Sequence, residues 1–202
     1  MKHHSHATPS GAAERLDRCQ AELVTLRRRL ESAETANHHQ ARELALLDER
    51  VSVLTRLWVA AAALYEAETE ASALRALEEV MINLAGTEDF GLYEAEGNML
   101  APVHTFGVSG GRARRHAAAG VVADVLATGQ SWRAASPREE TGDQPAACIP
   151  LRLGKRVAAV IVVWRFLPQK LAFEPFDAEL FALLAARAAP ALRAARLLEA
   201  AG

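Results

Sequence analysis

The densest run of chemically capable side chains is Arg112, Arg114, Arg115 and His116, directly after Gly110-Gly111. Backbone N–H groups at a helix start, joined by cationic side chains, attract an anion. A phosphate or carboxylate effector could therefore be held by Arg112, Arg115 and His116, with Arg133 and Arg138 in the segment that follows. The same run also reads as a solvated polar turn in an arginine-rich chain. Other chemistry is sparser. Cys19 and Cys148 are too far apart for a zinc motif or a disulfide framework. His38, His39, His104 and His116 lack metal-ligand spacing, and His3, His4 and His6 belong to a polar leader. Glu139-Glu140 and Asp143 read as solvated loop acids. No nucleophile–base set, P-loop or dinucleotide fingerprint is present, so no catalytic residue, metal or cofactor is expected. Trp58, Trp132 and Trp164 read as packing residues, with Trp164 at a strand end where it could also line a pocket.

Composition narrows the class. Of 202 residues, 43 are Ala, 20 Arg and 3 Lys, and only 5% are aromatic. The apolar content is therefore Ala, Leu and Val, helix formers and small packers rather than bulky anchors. No apolar run approaches the ~18 residues of a membrane span, and no apolar signal segment opens the chain. Residues 1–60 carry 9 basic and 8 acidic side chains and residues 61–202 carry 14 and 17, a balance without the basic excess that nucleic-acid binding uses. A cytoplasmic location without membrane insertion is expected. Residues 1–11 read as a disordered leader or tag.

Residues 12–64 must position a partner rather than a ligand. Leu16, Leu23, Leu30, Asn37, Leu44, Val51 and Trp58 fall at heptad position a, and Cys19, Leu26, Ala33, Gln40, Leu47, Leu54 and Ala61 at d. Such a seam marks a coiled coil. At ~1.5 Å per residue it extends about 69 Å, more than a domain of this size could cover, so it needs a partner helix. In a parallel homodimer Glu22 faces Arg27 and Arg29 faces Glu34, both attractive, while Glu43 meets Asp48. Asn37 at a is the kind of buried polar residue that pins register, and the stretch Ala33–Asn37–Gln40 is weak. Cys19 at d could cross-link to its own copy under oxidation, or act as a small apolar filler. An intramolecular helical hairpin is the alternative, although no Gly or Pro turn interrupts residues 12–60.

From residue 65 the pattern becomes mixed. A helix is expected over 72–84, stopped by Gly86, and a hairpin over 89–94 and 99–106. A helix over 112–127 closed by Gly129 and a short strand at 131–134 follow. Strands over 146–153 and 156–166 are joined by Gly154-Lys155, a two-residue hairpin turn. VAAVIVVWRF is apolar on both faces and so marks a central strand, while Pro150 suggests a bulge. A closing helix starts near Pro175, with a kink expected at Pro190. The result is an α+β arrangement, an antiparallel sheet flanked by helices.

Residues 65–202 resemble a GAF domain. The resemblance is carried by the helix at 74–84, by Asp89-Phe90-Gly91-Leu92-Tyr93, by VADVLATG at 122–129, by Cys148-Ile149-Pro150-Leu151 with the strand at 157–163, and by Phe176-Asp177 with Leu180 and Phe181. The preceding helix resembles the signalling helices that link such domains. There are departures. Ala158 or Ala159 stands where the family usually has Gly, and of the cyclic-nucleotide motif only Phe176-Asp177 is present. Cys148 lies in an expected core strand, a poor place to attach a bilin, and the several cysteines of the methionine sulfoxide reductase branch are missing. The covering helix is small on its inner face (Ala118, Ala119, Val122, Leu126), so a mostly filled pocket is expected.

These features point to a non-catalytic regulatory module, an adaptor that dimerises through a parallel coiled coil and signals through a separate, unidentified protein partner. The adaptor is the expectation, on the reading that no output domain follows residue 202. The alternative is a sensor whose pocket binds an anionic metabolite or nucleotide.

Overall fold

A computed structural model of the chain describes residues 9–108, 110–137 and 144–201. It divides into two compact units, residues 1–52 and 53–202. Residues 1–8 of the expected leader, with His3, His4 and His6, lie outside the described residues, as do Arg138, Glu139, Glu140 and Asp143.

In the first unit, helix α1 (Pro9–Tyr65) is the one described element, and it begins three residues before the expected coil. Thr25 and Thr35 donate their hydroxyls to the carbonyls of Ala21 and Glu31, four residues back, so neither interrupts the helix. The a and d side chains are exposed along its length, from 55% at Leu23 to 61% at Val51. Cys19 and Asn37 are exposed with them.

In the second unit the last turns of α1 carry a different stripe. Val53, Leu57, Ala60 and Leu64, spaced four, three and four residues apart, face the core, and Ala60 and Leu64 are fully buried there. The seam residues Leu54 and Trp58 stay on the outside, Trp58 at 70% exposure, so it does not pack in this core. Arg56 lies over the ring of Phe176, 3.6 Å from its centroid. Helix α2 (Glu70–Val80) opens on a capping box: Ser72 N–H donates to Thr69 Oγ1, and Thr69 N–H to Ser72 Oγ. A wider π turn at Met81–Ala85 follows, and Gly86 in the left-handed region (φ 72°) closes it.

The sheet has six strands, all antiparallel to their neighbours, in the order β3-β2-β1-β6-β5-β4. These are β1 (Thr87–Glu96), β2 (Met99–Phe106), β3 (His116–Ala117), β4 (Trp132–Arg133), β5 (Ala147–Leu153) and β6 (Arg156–Phe166). Strand β6 is central, as its two apolar faces require. Ala159, Ile161 and Val163 pack with Phe90, Leu92 and Ile149 on the side of α2 and α4 (Pro175–Ala201). Val160 and Val162 turn the other way, with Tyr93, Leu100 and Cys148, under α3 (Gly120–Thr128). The register slips between Leu151 and Arg152, one residue beyond Pro150. Helix α4 continues through Pro190 to Ala201.

The helix expected over 112–127 is corrected. Residues Gly110–Ala113 form a 3-10 turn, His116–Ala117 pair with Leu100 and Met99 as β3, and α3 begins only at Gly120. Ala and Arg favour a helix locally. A ladder to a distant strand, with Ala118 N–H donating to Asn98 O at 2.8 Å, takes their backbone groups instead.

Candidate functional site

Residues of the 110–117 segment, β1 and β6 converge beside α3. Tyr93 of β1 is fully buried. Its ring lies across Gly91, where an added Cβ would come within 2.5 Å of it, so the absence of a side chain at 91 makes room for the ring. Its hydroxyl donates to the carbonyl of Arg112 at 2.6 Å and ties the 3-10 turn to the sheet. Burial holds this phenol protonated well above the usual range, against the opposing influence of the Arg112 charge. The Trp164 and His116 rings meet Tyr93 edge-on, at 5.9 and 5.3 Å. The Arg112 guanidinium sits over Trp164, 5.1 Å from its centroid. His116 Nδ1 lies 2.8 Å from the carbonyl of Arg114; a carbonyl only accepts, so Nδ1 carries the proton.

This cluster borders two recesses. A cleft of about 300 Å³ runs beneath α3, walled by Leu100, Val121, Val122 and Val162 and bounded at one end by Arg112, His116 and Trp164. A more open recess of about 540 Å³ adjoins it and shares those three residues, with Asp89 and Gly107 on its far side. Asp89 is held there by Arg165, at 2.8 Å. Against the expectation of a mostly filled pocket, the described residues leave this cleft beside α3. α3 spans nine residues, and Ala118 and Ala119 precede it in extended chain, so among the described residues part of the sheet face beside it is uncovered.

The four arginine and histidine candidates do not form one site. Arg112 and His116 are together at the cleft, delivered by a 3-10 turn and a strand rather than by a helix N-terminus. Arg115 turns away and pairs with Glu96 at 2.5 Å. Arg133, on β4, lies over the Phe173 ring at 4.9 Å and lines neither recess. In sequence Tyr93 resembles an ordinary strand aromatic and Trp164 a packing residue at a strand end, whereas the fold brings both to the cleft. The signal for Tyr93 was its position two residues after Gly91 on the same strand face.

Cys148 is buried in β5, and burial pushes its thiol up to about 12, which disfavours the thiolate that a nucleophile or attachment point needs. Among the described residues no His, Cys, Asp and Glu cluster could hold a metal, and no helix is long and apolar enough to cross a membrane.

A family model described as GAF domain matches residues 74–194. The chain belongs to the GAF family. A comparison with curated proteins finds no match. Among solved structures, the GAF domain from the Coxiella burnetii phosphoenolpyruvate-protein phosphotransferase superposes with a TM-score of 0.58 at 14% identity, over 73% of this chain and 96% of that one. The GAF domain from the corresponding Acinetobacter protein gives 0.57 at 12%, over 74% and 98%. A methyl-accepting chemotaxis protein gives 0.54 at 15%, over 70% and 99%. At these identities the likeness is one of fold. GAF domains are typically small-ligand-binding regulatory modules, and here the fold leaves a cleft beside its α3 helix.

Proposed function

We propose that the chain is a non-catalytic, ligand-responsive regulatory module that works in the cytoplasm as a parallel coiled-coil dimer and passes the state of its cleft to a separate protein partner. The observation that carries the reading is the cleft beneath α3, apolar along its walls and carrying Arg112 and His116 at one end. Dimerisation is supported by the exposed seam of α1, which runs through Leu16, Leu23, Leu26, Leu30, Leu44, Leu47, Val51 and Leu54 and would be buried against a second copy. The output is a change in helix packing, since Ala60 and Leu64 at the end of α1 belong to the same core as β1 and β6. A ligand can shift that packing only by the difference in its affinity for the two arrangements.

The test is a melting-temperature screen of the full chain against small metabolites. At least one compound should raise the transition, and Val121→Trp, which fills the cleft, should remove the effect. A screen with no responder favours the second reading, a GAF adaptor without ligand whose work is done by the coil; the exposed seam supports it independently. In that case a defined partner should bind the wild type and be lost when the seam is broken.

A further inference from the structure

We infer that the cleft beneath α3 takes a small monoanion with an apolar body, an apolar monocarboxylate; this rests on the ligand-responsive reading above. Among the described residues that line the cleft, Arg112 is the one formally charged side chain and there is no carboxylate. The guanidinium has five N–H donors in a planar fork, so it accepts a carboxylate alongside its contacts within the protein. Its place is set twice, by the Tyr93 hydroxyl on its own carbonyl and by the Trp164 ring beneath it. Leu100, Val121, Val122 and Val162 run along the wall and suit an apolar body, with Gln144 a neutral polar side chain beside them.

The neighbouring residues restrict the charge further. A second negative group would extend into the outer recess, where the Arg165 guanidinium is already paired with Asp89 at 2.8 Å. The other two arginines that would be needed for a phosphate are engaged elsewhere, Arg115 with Glu96 and Arg133 over Phe173. Among the described residues, one cation at the end of a largely apolar cleft favours a single carboxylate over a nucleotide or a dicarboxylate.

The experiment is calorimetric titration of the full chain with phenylacetate, its neutral isostere phenylacetamide, succinate and guanosine monophosphate. Phenylacetate should bind, with phenylacetamide weaker by about tenfold or more, the usual worth of a charge-assisted pair. Arg112→Gln should weaken phenylacetate by a similar factor and leave phenylacetamide unchanged. The comparison of acid with amide on the wild type needs no variant, so misfolding of Arg112→Gln would not spoil it. Binding of succinate or the nucleotide with phenylacetate silent overturns the monocarboxylate and leaves the ligand-responsive reading standing. Equal affinity for acid and amide overturns the role of Arg112. Silence of all four overturns the monocarboxylate, and the wider metabolite screen then decides separately whether the cleft takes any ligand.

Discussion

Gly91 and Tyr93 act as one unit: a missing side chain at 91 lets the Tyr93 ring lie flat on the strand, and that ring then holds the turn that carries Arg112. Gly91→Ala would drive a methyl against an aromatic ring already fixed by His116, Trp164 and the Arg112 carbonyl. The expected cost is about 1–3 kcal/mol, read as a lower urea midpoint at unchanged slope. An unaltered midpoint would mean that the ring has somewhere else to go. Cys148 gives a pH prediction. In the unfolded chain its thiol ionises near the ordinary value of 9.0, whereas in the fold it keeps its proton to about 12. Between those values the unfolded state binds fewer protons, so stability falls as pH rises, by up to ~1.4 kcal/mol per pH unit. Below pH 9 both states are protonated and the thiol contributes no slope. Chemical denaturation from pH 8 to 11 should show the wild type losing stability faster than Cys148→Ala, and parallel curves would contradict the assignment.

At the scale of elements, helix α4 is anchored at its start by a buried ion pair. Asp177 is 1% exposed, accepts Lys170 Nζ at 2.7 Å and accepts the backbone N–H of Glu174 at 2.8 Å. Asp177→Ala removes both acceptors and leaves the ammonium largely enclosed, and should cost about 3–5 kcal/mol in thermal or urea unfolding. A loss well under 1 kcal/mol would show that water replaces the carboxylate. The resemblance to a nucleotide motif at Phe176-Asp177 therefore has a structural cause, since Phe176 packs under Arg56 and Asp177 ties the loop at 170–174 to the helix. Helix α1 carries two stripes a fraction of a turn apart. One ends in the core at Ala60 and Leu64 and the other stays outside through Trp58. In a parallel, in-register pair Cys19 would lie beside its own copy. Mild oxidation should then give a disulfide-linked dimer on a non-reducing gel, absent in Cys19→Ser; an antiparallel pair would not cross-link there.

For the whole molecule, the proposed pairing along the seam sets the expected mass in solution. Light scattering should return twice the 21.8 kDa of one chain. Leu23→Glu combined with Leu30→Glu places charge on the seam and should return a single chain, with the melting of residues 53–202 retained because their core contains neither residue. A wild-type monomer would remove the dimer from the proposal and leave the cleft as its remaining support.

Local patterning was enough to locate most of the fold. The expected hairpin at 89–106 and the Gly154-Lys155 turn placed β1, β2, β5 and β6, the two apolar faces of β6 put it at the centre, and the ordered motifs from residue 74 to Phe181 pointed to the family to which the chain belongs. Each of these signals lies within a dozen residues or so, a range over which periodicity and turn chemistry act. The site was legible only in part, because its geometry depends on groups far apart in the chain. Arg112 is set by a hydroxyl 19 residues earlier, and Arg115 is drawn off by Glu96. The segment 112–119 favours a helix by propensity, yet pairing with Met99 and Leu100 makes part of it a strand. Sequence alone therefore determined which residues alternate, turn and pack; tertiary structure decided which arginine faces the cleft and that the cleft is open, because a non-local ladder and one buried hydroxyl outweigh a local helical preference of a few tenths of a kcal/mol per residue, roughly.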